Sequence, residues 1–357
     1  MGSNGPLPNN SIAGAITYPN RSNDNVELAQ VQPRQPRNLQ GLLRFAMEAT
    51  KAEDAPGNSE LGPIDEERRR FLEEALRSLT VDMAQVIQES IKILTDREKM
   101  GNIKMEQPLP VDVDEAFNKI LDLIDDIDLA NDFYKMGGFA MFPVCYGSDN
   151  AEVRARASSL LAELCQNNPF CQAKALECGL LNVLMNLIDT ETDTALVKCL
   201  YAVSCITREC PAACRELVSG GGCGSLARRL TAPESSARTK AAFLIAYLCT
   251  HYPDAKEQFI QLNVVALVTE QISQRERDDS TEHMLSTLLA LVEGSNPVVL
   301  AQCRNPTVGL KSALERHLQH PDLMDDTFRE EKDYCRQLLR KIFQGPYQVP
   351  FEEVADR

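Results

Sequence analysis

Four histidines, twelve cysteines and one glycine-rich run are the residues of this sequence whose types could carry chemistry. A zinc site needs four ligands brought together at characteristic Cys and His spacings. His317 and His320, with two residues between them, lie at a helix end with no Cys or acid at ligand spacing close by, and His251 sits in a loop before Tyr252 and Pro253. No metal is expected there. The cysteines run from Cys145 to Cys335 without a CxxC pair, mostly inside apolar helical patterns, which is the usage of reduced, buried small hydrophobes in a cytosolic chain. Cys210 and Cys214 bracket a helix start at Pro211 and read as structural. The run Ser219-Gly220-Gly221-Gly222-Cys223-Gly224 has glycines enough to cradle a phosphate, but such a loop follows a buried strand and is followed by Lys-Ser/Thr. This one lies between two helical patterns, where a helix-terminating turn is expected. No Ser/His/Asp order, GxSxG or HExxH occurs. The expectation is a protein that is not an enzyme and carries no cofactor.

Recognition is the remaining chemistry, and composition limits it. Of 357 residues 43% are hydrophobic, and 37 Lys and Arg face 52 Asp and Glu for a formal charge of −15. That apolar content excludes a wholly disordered chain, and the acidity excludes the usual footprint of a nucleic-acid or anionic-membrane binder. There are 8 Tyr, 12 Phe and no Trp, so the core must be built from aliphatic residues and Cys, a diet suited to packed helices. The N-terminus has no basic and apolar leader pattern, and the longest uncharged apolar stretch, Ala241 to Cys249, is far short of the roughly 18 to 20 residues of a membrane helix.

The elements follow from periodicity. Residues 1–36, rich in Asn, Pro, Gly and Ser, are expected to be disordered. From Asn38, the residues Leu39, Leu42, Leu43, Ala46 and Met47 form one apolar helix face, and a polar run to Gly62 tethers this short helix within residues 37–62. It is either a ligand for another protein or folds back onto the main body. Residues 63–112 read as N-terminal capping helices: one opens at Pro63 and buries Phe71, Leu72, Ala75, Leu76 and Leu79, and a second runs from Val81 to about Lys99. From residue 113 to 307 the chain repeats. Val153–Leu164, Ala195–Ile206 and Ala237–Leu248 align without a gap at a period of 42, and His283–Leu291 follows with one extra residue. After each come a Pro-containing break, a short helix, and a residue suited to the left-handed conformation, assigned to Gly138, Gly179, Gly222 and Asn263. A third apolar helix then closes the unit. About four three-helix units of ~42 residues define an all-α, armadillo-like α-solenoid with N- and C-terminal capping helices, in which stacking makes the core. Residues 308–343 are the C-terminal cap and 344–357 a tail.

In an armadillo stack the third helix, here the aligned one, lines the concave surface. Residues at i, i+3 and i+7 on it share a face, which gives three columns across the repeats: Arg156, Lys198, Lys240 and His283; Ser159, Tyr201, Phe243 and Ser286; and Glu163, Cys205, Tyr247 and Ala290. Two readings stand. The cations either serve neighbouring acids and cover packed stems, or form a protein-binding groove with Lys, Arg and aromatic contacts.

The tail, the run Pro36-Arg37-Asn38-Leu39-Gln40-Gly41-Leu42-Leu43-Arg44-Phe45-Ala46-Met47, the segment Asp65-Glu66-Glu67-Arg68-Arg69, four armadillo units and a helical cap together resemble the family of binding proteins and nucleotide exchange factors of the 70-kDa heat-shock chaperone. The resemblance covers Pro36 to about Phe343, and Asn-Leu-Gln-Gly-Leu-Leu is its most specific element. It implies that the concave surface grips the chaperone's ATPase domain and promotes ADP release, with the nucleotide held by the chaperone. It further implies that Leu39, Leu42, Leu43, Phe45 and Met47 engage the chaperone's substrate-binding domain and aid client release. A monomer in the cytosol, with the nucleus as a second compartment and neither nucleic acid nor membrane as partner, is the corresponding expectation. An armadillo adaptor or scaffold is the alternative. The Trp and Asn columns of import receptors are replaced here by Ser159/Tyr201/Phe243 and Glu163/Cys205/Tyr247, and an endoplasmic-reticulum relative is disfavoured by the missing signal sequence.

Overall fold

The computed structural model describes residues 83–344. The expectations for residues 1–36, for the Leu39–Met47 helix, for the helix opening at Pro63 and for residues 345–357 lie outside the described residues. Every regular element among the described residues is a helix, and none is long and apolar enough to cross a membrane.

The first described helices are α1 (Met83–Leu94) and α2 (Arg97–Gly101). A single helix to Lys99 was the sequence expectation; the structure breaks it at Asp96, whose carboxylate leaves the helical path to accept a hydrogen bond from the Lys99 backbone N–H at 3.0 Å. A short acidic side chain favours such a cap over continuing the helix. There follow α3 (Val111–Leu121), α4 (Ile127–Lys135) and, after a 3₁₀ turn, α5 (Met141–Tyr146).

Three units of one design come next. They are α6 (Ala151–Cys165), α7 (Pro169–Glu177) and α8 (Leu180–Thr190); α9 (Asp193–Thr207), α10 (Pro211–Ser219) and α11 (Gly222–Arg229); and α12 (Ser235–His251), α13 (Pro253–Gln261) and α14 (Val264–Gln274). A fourth comprises α15 (Thr281–Val292), α16 (Pro297–Cys303) and α17 (Leu310–His317), and α18 (Arg329–Leu339), running into a π-helical turn at Arg340–Gln344, closes the described chain. Proline opens each second helix, at 169, 211, 253 and 297, where its missing N–H is not needed and its φ suits the first turn.

The left-handed residues that follow the second helices and their counterpart before α5 are Gly137, Gly179, Gly221 and Asn263, each 42 residues from the last, then Gly309. This corrects the sequence assignment of Gly138 and Gly222. In each glycine pair the first residue takes positive φ, 85° at Gly137 and 83° at Gly221. The second is glycine for space: a Cβ at Gly138 would meet the Phe133 ring at 2.5 Å, and one at Gly222 the Leu217 side chain at 2.7 Å. Spacing could not separate two adjacent glycines serving different ends.

The long helices α3, α6, α9, α12, α15 and α18 pack side by side in that order as one row. Val153, Leu160, Leu161, Leu164, Leu200, Ile206, Leu244 and Leu248 on this row are fully enclosed. Ten of the twelve cysteines are buried and all twelve are free thiols. Burial pushes the Cys145, Cys249 and Cys335 thiols up to about 12, so they act as small apolar side chains. Two arginines separated by two repeats tie neighbouring units: Arg154 pairs with Glu191 and donates to the Ser148 carbonyl at 2.6 Å, and Arg238 pairs with Asp278 and donates to the Ala232 and Pro233 carbonyls at 2.6 Å. His317 faces Glu331 in the C-terminal cap, with Nε2 to Oε1 at 2.5 Å.

Candidate functional site

The row of long helices positions the columns read from the sequence. Arg156, Ser159 and Glu163 on α6, Lys198 and Tyr201 on α9, Lys240, Phe243 and Tyr247 on α12, and His283 on α15 are all half-buried, between enclosed apolar residues of the same helices. They form one stripe across the row. Cys205 departs from its column, being 8% exposed; burial raises its thiol to about 11, and it offers a partner little.

The charged column is not uniform. Arg156 is committed to α3: its Nη2 donates to Asp114 Oδ1 at 2.7 Å and to Asn118 Oδ1 at 2.5 Å, and its guanidinium carbon lies 5.7 Å from the Phe117 ring centroid. At this position the cation serves a neighbouring acid. Lys198 and Lys240 form no ion pair among the described residues. Lys240 Nζ instead lies 4.8 Å from the Tyr201 ring centroid, an arrangement that orients the ammonium without neutralising it. Burial raises the Tyr201 hydroxyl further above its ordinary value, so it stays protonated and donates to Glu163 Oε1 at 3.2 Å and Gln166 Oε1 at 2.9 Å. Tyr247 Oη accepts the Glu209 backbone N–H at 3.0 Å. Phe243 and His283 stand with ring centroids 5.8 Å apart.

Between α9, α12 and α15 these side chains enclose a pocket of about 290 Å³ lined by Gln166, Asn167, Tyr201, Ser204, Cys205, Arg208, Thr239, Lys240, Phe243 and His283. Arg208 is a site residue that the column reading missed. Its guanidinium carbon stands 5.0 Å from the Phe243 ring centroid. The signal was present: Arg208 lies seven residues beyond Tyr201, so continuing the stripe to the first residue past the helix end reaches it. Gln166 holds the same repeat position 42 residues earlier and receives the Tyr201 hydroxyl. The glycine-rich run 219–224 contributes no lining; it ends α10, turns at Gly220 and Gly221 and opens α11.

An α-solenoid of three-helix units whose longest helices present a continuous half-buried stripe belongs to the armadillo class. Among solved structures, a designed armadillo repeat protein in complex with peptide (KR)4 matches with a TM-score of 0.55 at 13% identity, covering 72% of this chain and 99% of that one. An engineered protein matches with a TM-score of 0.56 at 17% identity over 73% of this chain and 98% of its own. These likenesses establish the fold. The family model described as nucleotide exchange factor Fes1 matches residues 39–133, and the model described as the SIL1/FES1/HPBP1 C-terminal domain matches residues 129–236. Hsp70-binding protein 1 of Rattus norvegicus is 30% identical over 322 residues, 88% of this chain and 88% of its own. The Hsp70 nucleotide exchange factor FES1 of Mycosarcoma maydis is 28% identical over 133 residues, 37% of this chain and 34% of its own. The chain belongs to the family of Hsp70-binding protein 1 and the Fes1 nucleotide exchange factors.

Proposed function

We propose that this chain is an adenine-nucleotide exchange factor for the 70-kDa heat-shock chaperone and that it works by binding, with no reaction of its own. The observation that carries the reading is the match to Hsp70-binding protein 1 over 88% of both chains. The stripe of Lys198, Tyr201, Lys240, Phe243, Tyr247 and His283, with Ser159 and Glu163 beside it, supports a grip on the ATPase domain. Arg156 belongs to the stripe as a brace to Asp114. A protein that binds the open, ADP-free conformer more tightly than the closed one shifts the population toward release. A nearly complete shift, from 1:99 to 99:1, needs a preference of about 10⁴-fold.

The segment Leu39, Leu42, Leu43, Phe45 and Met47 is proposed to act on the chaperone's substrate-binding domain and promote client release. It is apolar with one cation, Arg44, and the Fes1 family model begins at residue 39. A cytosolic monomer completes the proposal, and the charge of −15 speaks against nucleic acid and anionic membrane as partners.

Release of labelled ADP from purified chaperone, with and without this protein, tests the reading. Acceleration is expected, and an unchanged rate overturns it. The double variant Lys198→Glu/Lys240→Glu locates the grip: with helical content normal, exchange should fall, and undiminished exchange would move the grip off this stripe.

A further inference from the structure

We infer that the pocket between α9, α12 and α15 receives an acidic side chain, Asp or Glu, projecting from the chaperone's ATPase domain. The inference rests on the exchange-factor reading and adds to it the chemistry of the contact.

The sign of the pocket favours an anion. In a chain of charge −15 the pocket lining includes Arg208 and Lys240 and no Asp or Glu. Lys198, earlier on α9 and outside the lining, is a further cation without an ion pair among the described residues. Arg208 and Lys240 line the same pocket, so both charges bear on an anion seated in it. The positive stretch is bounded. At one end Asp114 neutralises Arg156; at the other, Glu282 and Glu330 both bear on Tyr334.

The cations are held in place with their donors unspent. Arg208 stands against the Phe243 ring and Lys240 against the Tyr201 ring, and neither side chain donates a hydrogen bond among the described residues. A guanidinium presents a fork that matches a carboxylate in two parallel hydrogen bonds, and an ammonium presents three further donors. Orientation by ring faces reduces the ordering needed at binding while leaving the charge intact. Glu163, the acid within the stripe, already accepts the Tyr201 hydroxyl.

The rings beside the cations favour a side chain over a free anion. Tyr201 and Phe243 flank the cations with half-buried ring surface, which the aliphatic stem of Asp or Glu would cover and a bare phosphate would leave uncovered.

Affinity of the full chain for the ATPase domain, measured by calorimetry across a salt series, tests the assignment. Arg208→Gln and Lys240→Gln should each weaken binding by about 10-fold, and Arg208→Glu/Lys240→Glu by about 30-fold or more. The wild-type affinity should fall with added salt, and the doubly reversed variant should lose that dependence. Lys substitution of surface Asp and Glu on the ATPase domain should yield one position that restores binding to the reversed variant. The Gln variants keep the test alive if the reversed variant unfolds. Normal binding by all variants with no salt dependence overturns the acidic contact and leaves exchange activity standing. Competition by inorganic phosphate as effective as that by an Asp-containing peptide overturns the choice of a side chain. Failure of the wild-type chain to bind at all overturns the exchange-factor reading with it.

Discussion

Lys240 Nζ stands 4.8 Å from the ring centroid of Tyr201 on the preceding long helix, and the Tyr201 hydroxyl donates to Glu163 and Gln166 one rung further back. A single side chain thus couples three successive units on the face proposed to bind. Tyr201→Phe keeps the ring under Lys240 and removes both hydrogen bonds, so it should lower stability by about 1 kcal/mol while exchange stays near wild type. Tyr201→Ala removes the ring as well and should cut exchange several-fold. Thermal melts and ADP release measured on the same preparations separate the two effects; equal exchange by all three proteins would remove Tyr201 from the grip.

The adjacent glycines 137 and 138 should fail in different ways. Gly137→Ala meets no atom within 4 Å but is strained at φ 85°, a penalty of about 1 kcal/mol. Gly138→Ala drives a Cβ into the Phe133 ring, and overpacking of this kind costs about 1–3 kcal/mol. The second penalty should shrink in a Phe133→Leu background and the first should not. A double-mutant cycle by chemical denaturation checks this.

Much of this organisation was legible because stacking imposes a strict period. The aligned segments gave the long helices, the prolines gave the starts of the short ones, and the half-buried stripe from Arg156 to His283 was found by helical spacing alone. What escaped was contact-dependent. Nothing in the spacing distinguishes Arg156, which meets Asp114, from Lys240, which meets a ring. Cys205 occupies a column position yet is buried, and Arg208 works from beyond the last helical turn, where a column drawn on the helix had stopped. The break at Asp96 was hidden because an acid in an amphipathic run reads equally well as a cap or as a solvated face.

Deletion of residues 1–60 separates the two proposed contacts with the chaperone. Those residues precede the row of long helices that carries Lys198 and Lys240, so ATPase-domain binding and ADP release should survive. Client release should slow, because Leu39 to Met47 is then absent. Fluorescence release of a labelled peptide substrate reads the second activity on the same sample. Equal release by the truncated and full-length proteins would remove the role proposed for the segment.

The C-terminal cap should set the acid limit of the fold. Glu331 is 2% exposed; Arg277 holds it through two hydrogen bonds, Nε to Oε1 at 3.0 Å and Nη2 to Oε2 at 2.9 Å, and His317 Nε2 lies 2.5 Å from Oε1. Burial pushes its carboxyl up, but the hydrogen bonds and charges of His317 and Arg277 together outweigh burial and hold it below the ordinary value. A carboxylate whose folded pKa lies below its unfolded one stabilises the fold above the unfolded value, about 4.3, and loses that contribution as pH falls through the folded value. The melting temperature should therefore decline below about pH 4.5. Glu331→Gln should lower stability by about 3 kcal/mol at neutral pH, since it removes one partner of a buried pair, and should flatten the acid decline. Arg277 keeps Asp322 at 2.9 Å in that variant, so the cap should remain folded enough to measure. Melting curves across the acid range decide the matter: an equally steep decline in the variant would place the acid limit in other carboxylates, with Asp278 beside the buried Arg238 next to be tested.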